Sequence, residues 1–257
     1  MKDVNLNGCE FITKLPKLCT PKLETLNLAS CENLVEINEC FGSLEKLKRW
    51  NLCYCRKLQF LPSQLRLKSL KYFYLTGCSR LEKLPDFHQE MECLQILYLD
   101  RSDIREVPSS IEHLTKLDTL SLFECKNLQN LPDSIYKLQQ LRILGTSTTK
   151  LRPTCNSFDS SSKYFQHYEN IIELDLLMKP DYFPTLEIID LSETNIVTIP
   201  KSISRFSRLN SLFIRNCKLL REIQGLPQSI SQVFADNCIL LDSQSPSGLL
   251  NQVSLFL

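Results

Sequence analysis

A short apolar motif recurs along the chain at a nearly constant interval. Six copies of Leu-x-x-apolar-x-Leu, the sixth ending in Thr, are separated by steps of 24, 23, 24, 23 and 24 residues and begin at Leu23, Leu47, Leu70, Leu94, Leu117 and Leu141. After a step of 45 residues the motif returns at Leu186 and Leu209, with a degenerate last copy at Ile230, and a truncated first copy lies around Val4 and Leu6. This period is typical of a solenoid, in which each unit buries its apolar face only against its neighbours.

The residues of each copy predict a strand followed by a turn. The alternating apolar residues favour a short strand that points every second side chain inward, and stacked strands form a parallel sheet. The segment 109–116, which follows a Pro, predicts one short helical turn capped by Ser109 or Ser110. The predicted fold class is therefore α/β, a leucine-rich-repeat solenoid shaped as a curved horseshoe with a parallel concave sheet and short helical turns outside. Its strands are expected near 24–28, 48–52, 71–75, 95–99, 118–122, 187–191 and 210–214.

Two segments interrupt the repeat. We expect residues 1–242 to form the leucine-rich-repeat domain, with an irregular insertion at about 145–185. The insertion is interpreted as an enlarged outer loop followed by a shortened repeat that starts near Ile171. Residues 243–257 are expected to form a C-terminal tail or a partial cap. Because repeat arrays need a polar capping unit and Met1 opens inside a repeat, the chain is interpreted as a module of a larger protein.

Composition argues against several classes of partner. The 30 basic and 29 acidic side chains leave a net charge of +1, so no broad field favours nucleic acid or an anionic membrane. No apolar stretch approaches the roughly 18 residues of a membrane span, and the first residues lack an apolar signal segment. We therefore expect a protein in the cytoplasm, or shared between cytoplasm and nucleus, where thiols stay reduced.

Cysteine and histidine are the residues that invite a chemical interpretation. Cys53 and Cys55 are the only close cysteine pair, and the first should face the concave side while the second enters the turn, which argues against a zinc site. His88, His113 and His167 are expected to be solvated on outer turns or in the insertion. With only six glycines and no phosphate-binding loop, we expect no catalytic residue, no metal, no cofactor and no small-molecule substrate. Seven of the twelve cysteines share one position after the strand, where they should bond the turn backbone or fill a buried slot: Cys9, Cys31, Cys55, Cys78, Cys125, Cys217 and Cys238.

Several stretches resemble one family of repeats. The order Leu-x-x-Cys to Leu-x-x-Leu-Pro, with segments 31–36, 107–111 and 220–227, is similar to the repeats of plant Toll/interleukin-receptor-type nucleotide-binding leucine-rich-repeat disease resistance proteins, often labelled N-like. The resemblance implies an autoregulatory module that senses a pathogen effector and restrains or releases the receptor's own nucleotide-binding module. The nucleotide-binding and Toll-type modules are absent from this sequence, so no NAD cleavage or nucleotide exchange is assigned to it.

The concave face supplies the candidate binding residues. Side chains that flank the inward leucines point to this surface, and exposed aromatic groups beside Arg are typical of binding hot spots. Tyr74 and Tyr98 occupy the same position in adjacent repeats, so their rings should stack side by side. The predicted protein-binding set is Tyr72, Tyr74, Tyr98, Asp100, Arg101, Phe123, Glu124, Phe213 and Arg215, with Ile96, Ser121, Phe234 and Asp190 nearby.

Other functions remain open from the sequence. The chain would be a scaffold for protein assembly without a sensing role if the tyrosines only stabilise neighbouring strands, by ~0.2–1 kcal/mol per pair. A cell-surface receptor ectodomain fragment is disfavoured because the Gly-x-Ile-Pro element of secreted plant repeats is absent. An enzyme with appended repeats is disfavoured because no catalytic constellation is visible.

We predict that the seven cysteines at the repeat position form no disulfide. Equivalent residues of neighbouring repeats lie about 4.8 Å apart in a sheet, near bridging range, but a reducing compartment keeps thiols free. Unfolding followed by alkylation without reductant should modify all seven, as measured by mass spectrometry. Consistent protection of any pair would contradict the prediction.

Overall fold

The structure, a computed structural model, describes residues 1–15, 20–146, 152–153, 182–241 and 254–256. Within these residues the strands are β1 (Asp3–Asn5), β2 (Thr25–Asn27), β3 (Arg49–Asn51), β4 (Gln64–Leu65), β5 (Tyr72–Tyr74), β6 (Asp86–Phe87), β7 (Ile96–Tyr98), β8 (Thr119–Leu122), β9 (Asn130–Leu131), β10 (Ile143–Thr146), β11 (Arg152–Pro153), β12 (Ile188–Asp190), β13 (Thr198–Ile199), β14 (Ser211–Phe213), β15 (Glu222–Ile223), β16 (Gln232–Phe234) and β17 (Ser254–Phe256).

Eleven strands form one parallel sheet, in the order β1-β2-β3-β5-β7-β8-β10-β12-β14-β16-β17. Each of the seven segments that the motif predicts contains one of these strands, so the predicted sheet is confirmed. The register is constant along the sheet, because Leu26 faces Trp50 and Trp50 faces Phe73. Equivalent residues of successive repeats therefore stand side by side. We term the outward face of this sheet the concave face.

The core follows from the alternation of the motif. The middle residue of each strand points inward, as Leu26, Leu97 and Leu120 do, and all three are fully buried. Trp50 and Phe73 fill the same position in their repeats, and their rings stack with centroids 5.1 Å apart. The buried indole N–H of Trp50 has no acceptor among the described residues. Trp50 is the single tryptophan of the chain, so its fluorescence reports on the core.

The outer side carries 3-10 helices and short strand pairs. Among the described residues, four 3-10 helices span Glu39–Ser43, Ser109–His113, Asp133–Lys137 and Lys201–Arg205, and three two-stranded sheets pair β4 with β6, β9 with β11, and β13 with β15. The helical turns predicted outside the sheet are thus 3-10 in kind. The predicted serine cap is wrong: Pro108 holds the cap position without a side-chain bond. The Ser110 hydroxyl instead accepts from the Phe87 N–H at 3.0 Å.

In the described turns that follow the concave strands, a residue two or three positions beyond the strand end adopts the left-handed conformation. It is glycine at Gly8 and Gly77, with φ of 72° and 77°, but another residue type at Ser30, Tyr54, Arg101, Glu124, Glu193, Asn216 and Asn237. Left-handed backbone costs an L-residue about 1–2 kcal/mol. Backbone bonds to the next repeat offset this cost, since Tyr54 donates its N–H to Thr76 O at 2.7 Å and Arg101 donates to Phe123 O at 2.8 Å.

A ladder of thiols follows these turns. The Sγ atoms of Cys31 and Cys55 donate to carbonyls of the preceding repeat, Leu6 and Leu28, each at 3.1 Å. The thiols of Cys78, Cys125, Cys217 and Cys238 make equivalent bonds. Burial raises the pKa of Cys55 to about 12, so it stays a protonated donor. These bonds confirm the predicted structural role for six of the seven repeat-position cysteines, and the seventh, Cys9, packs partly buried against the core.

The two described histidines lie on outer turns as expected, but each is half-buried rather than fully solvated. His113 Nδ1 lies 2.7 Å from the carbonyl oxygen of Phe87, and His88 Nδ1 accepts from the Glu90 N–H at 3.3 Å. Both bonds satisfy backbone groups of the outer turns. His167 lies outside the described residues.

The main sheet is continuous from the strand before the irregular region to the strand after it. Strands β10 and β12 are hydrogen-bonded neighbours, with Ile143 beside Ile188 and Leu144 beside Ile189. The shortened repeat expected to start near Ile171 falls outside the described residues and stays a prediction. The predicted insertion at 145–185 falls mostly outside them too. In the 243–257 tail, residues 254–256 form β17 and pair with β16.

No helix of the described part is long and apolar enough to cross a membrane.

We predict that Gly77→Ala destabilises the fold through a specific neighbour. A Cβ atom on Gly77 would stand 2.6 Å from Cδ1 of Tyr54, in addition to the left-handed strain at φ 77°. The strain alone costs about 1–2 kcal/mol, and the clash adds to it. Thermal unfolding followed by Trp50 fluorescence should therefore show a lower midpoint.

The matched control is the same substitution in a Tyr54→Ala background. There the clash is removed, and only the backbone strain remains. Equal losses in the two backgrounds would show that the Tyr54 ring does not pack on Gly77.

Candidate protein-binding surface

Four tyrosines lie together on the concave face and its rim. We term Tyr54, Tyr72, Tyr74 and Tyr98 the tyrosine surface. The rings of Tyr72 and Tyr74 lie 6.4 Å apart and nearly parallel, while those of Tyr74 and Tyr98 lie 5.5 Å apart and are inclined by 46°. The predicted contact between Tyr74 and Tyr98 is thus present, but inclined rather than parallel, as aromatic quadrupoles favour. Burial raises the pKa of Tyr74, which keeps its hydroxyl a hydrogen-bond donor.

Two residues of this surface, Tyr54 and Arg49, were not predicted from the sequence. Tyr54 follows the last outward strand position, and its left-handed backbone turns the ring over Gly77 in the next repeat. The ring remains 43% exposed. Arg49 faces Tyr72 in register, and its guanidinium carbon lies 5.1 Å from the centre of that ring. The sequence feature that could have indicated Tyr54 is Gly77 in the next repeat, which leaves room for the ring. Arg49 could have been found because it occupies an outward position of its strand, beside Tyr72.

Asp100 ties three strands together beside the tyrosines. Its carboxylate accepts from the Phe123 N–H at 2.9 Å, from the Thr76 hydroxyl at 3.4 Å and from the Ser121 hydroxyl. Thr76 follows β5, whereas Ser121 lies in β8 and Phe123 follows it, so the donors come from both sides of β7. The carboxylate is therefore engaged in joining repeats, and a role for Asp100 in partner binding stays a prediction.

Arg101 and Glu124 form the charged rim that the sequence predicts. Arg101 Nε lies 3.1 Å from Glu124 Oε2, and a second guanidinium nitrogen lies 3.1 Å from Oε1. The Glu124 carboxylate raises the pKa of Arg101. The Arg101 side chain is more than half exposed, so the pair is screened by solvent and contributes little to stability.

The second predicted cluster is also assembled. The rings of Phe213 and Phe234 stack 4.5 Å apart and nearly parallel, and the Arg215 guanidinium lies 5.3 and 4.7 Å from their centres. Arg215 Nε also bonds Asp236 Oδ2 at 2.8 Å. Asp190 stands beside Phe213 in register, and its Oδ1 accepts from the Ser192 N–H at 2.9 Å.

The two clusters are separate surfaces. Tyr98 is in register with Ser121, Ser121 with Gly145, Gly145 with Asp190 and Asp190 with Phe213. Four strand spacings of about 4.8 Å place Tyr98 and Phe213 about 19 Å apart. The residues between them have short side chains, so the tyrosines and the phenylalanines form two separate aromatic clusters that protrude from the sheet. Phe123 and Glu124 belong with the tyrosines, and Arg215 belongs with Phe213.

These features define a class of protein. A solenoid of parallel strands offers an open face with clustered aromatic and charged side chains, and in the described part no group of three or more His, Cys, Asp or Glu residues is arranged to hold a metal. This is the architecture of a leucine-rich-repeat interaction surface.

The family follows from comparison with known proteins. Residues 66–249 match the family described as "Disease resistance protein RPS4B-like, leucine-rich repeats", and the chain belongs to that family. Disease resistance protein RPP4 of Arabidopsis thaliana is 35% identical over 223 residues, which are 86% of this chain and 17% of that protein. TMV resistance protein N of Nicotiana glutinosa is 26% identical over 259 residues, which are 90% of this chain and 21% of that protein. The chain thus spans about a fifth of the length of these two relatives.

A solved structure supports the fold. The APL1 leucine-rich repeat domain superposes with a TM-score of 0.51 at 17% sequence identity, covering 86% of this chain and 57% of that chain. At this identity the likeness shows a shared leucine-rich-repeat fold.

We predict that Asp100 and Arg101, although adjacent, differ in their effect on stability. Asp100→Ala leaves the Phe123 N–H without its acceptor and should lower the free energy of unfolding by about 1–3 kcal/mol. Arg101→Ala breaks an exposed pair and should cost less than about 1 kcal/mol. Urea unfolding followed by Trp50 fluorescence measures both. Equal effects of the two substitutions would refute the bridging role given to Asp100.

Proposed function

We propose that this chain is the protein-recognition and autoregulatory module of an intracellular plant immune receptor, and that the tyrosine surface is its partner-binding site. The observation that carries the proposal is a row of three tyrosines in ring contact on an open sheet face, with Tyr54 on the turn beside Gly77, in a chain of the disease resistance repeat family. The partner is a protein, either a pathogen effector or the receptor's own nucleotide-binding module.

The chemistry of the tyrosine surface suits protein recognition. Each ring offers a rigid apolar face at low entropic cost, and each hydroxyl adds a hydrogen-bonding edge. Phe123 and the Arg101–Glu124 pair border the rings on one side, and Arg49 borders them on the other. An aromatic centre with a polar rim is the usual arrangement of an interface hot spot.

A purely structural role explains these residues less well. Cross-strand contact accounts for Tyr74 and Tyr98, which face each other in β5 and β7. It does not account for Tyr54, which lies beyond its strand and keeps 43% of its surface exposed. The position of Tyr54 therefore favours recognition over a scaffold role.

We predict that Tyr74→Ala and Tyr98→Ala weaken partner binding with little loss of fold. Each hot-spot truncation should cost about 2 kcal/mol or more of affinity, because the partner loses an aromatic contact while the inward core residues are unchanged. Phe60→Ala is the matched control, since Phe60 is 57% exposed but lies on the outer side. Intact recognition together with a lowered unfolding temperature would assign the tyrosines to stability alone.

The partner for this measurement comes from the transcript that encodes the chain. Sequencing the full transcript should reveal a nucleotide-binding module in frame, and the tagged chain should co-precipitate with that module or with an effector that triggers cell death in leaves. A transcript without such a module would exclude the receptor function.

A further inference from the structure

Two cations border the tyrosine surface without an acidic neighbour. Arg49 lies over the Tyr72 ring, with its guanidinium carbon 5.1 Å from the ring centre. Lys71 precedes Tyr72 on the same strand edge and is exposed. Among the described residues neither side chain has a carboxylate within ion-pairing distance, whereas the nearby Lys48 has one in Glu24.

The carboxylates closest to the tyrosine surface are already engaged, while Asp3 of β1 stands in the same row two strand spacings from Arg49 and three from Tyr72. Glu24 bonds both Lys2 and Lys48, at 3.0 and 2.7 Å. Asp100 accepts from three donors of the sheet, and Glu124 is held by Arg101. The charge left without a counter-ion beside the tyrosines is therefore positive.

A partner that covers the rings also covers these cations. Arg49 lies in register with Tyr72, and two strand spacings separate it from Tyr98, about 10 Å, so one bound segment spans all of them. Removing a cation from water is costly unless the partner supplies an opposite charge. The guanidinium over the Tyr72 ring has no carboxylate partner among the described residues, and it can donate two bonds to a carboxylate that a partner supplies.

We propose that the tyrosine surface receives an acidic segment of its protein partner, in which carboxylates contact Arg49 and Lys71 and an adjacent apolar side chain rests on the tyrosine rings. This inference rests on the function proposed above and specifies the chemistry of the partner at the same site. A neutral or basic segment on the rings is the alternative that the experiment must distinguish.

The test uses random 12-residue peptides displayed on phage and selected on the wild-type chain. Clones that still bind the Tyr74→Ala/Tyr98→Ala double variant are removed, so that the remaining clones depend on the tyrosine surface. We expect these clones to be enriched in Asp or Glu beside Leu, Ile, Val, Phe, Trp or Tyr. Their binding should weaken at least tenfold between 50 and 500 mM NaCl, because salt screens such contacts.

Charge reversal then locates the contact. Arg49→Glu with Lys71→Glu should weaken the selected acidic peptides at least tenfold and favour peptides with Lys in place of the acids. The matched control, Lys46→Glu with Lys116→Glu, makes the same change in net charge at exposed sites outside the sheet strands and should stay within twofold.

Two outcomes overturn the inference and differ in what they leave standing. Tyrosine-dependent peptides without acidic enrichment, or indifferent to reversal at Arg49 and Lys71, refute the acidic partner but keep the proposed binding surface. The absence of any tyrosine-dependent peptide refutes both.

Discussion

Each repeat of this chain is completed by hydrogen bonds from its neighbours, and the rest of the structure depends on that exchange. The Leu52 N–H donates to Tyr74 O in the next repeat, and the Cys78 thiol donates back to Leu52 O. Because the strand backbone groups find their partners one period away, no described strand is satisfied within its own repeat, and stability becomes a sum of contacts between neighbours. The same bonds hold the register constant, which aligns outward side chains in rows and turns single residues into surfaces.

Much of the fold could be predicted from sequence because the inward residues repeat. Leu23, Leu26 and Leu28 mark a strand and its core, and the 23–24 residue step sets the stacking. The side-chain hydrogen bonds between repeats are not marked by the apolar pattern. His113 bonds the carbonyl of Phe87, 26 residues earlier, and Ser110 serves a neighbouring strand rather than its own helix. Those partners belong to the stacked structure and leave no mark in the local pattern.

The candidate site divides along the same line. Tyr72, Tyr74 and Tyr98 follow from strand alternation and indeed come together, as do Phe213 and Arg215. The placement of Tyr54 required its left-handed backbone and the bare Cα of Gly77, which only coordinates combine. Asp100 carries an acid at an outward position, but its engagement by donors from both sides becomes visible only when the repeats are stacked.

The direct pairing of β10 with β12 has a consequence for how such an array changes over time. The chain leaves the sheet after β10 and re-enters at the adjacent strand, so the two anchor points are fixed whatever lies between. The entropy of closing a flexible segment grows slowly, by about 0.6 kcal/mol for each doubling of its length. Insertions and deletions at this junction therefore change the stability of the solenoid little. A register slip of one residue inside a strand would instead point the core leucines toward the solvent. Changes in length can therefore accumulate between β10 and β12 during evolution without altering the register of the strands on either side.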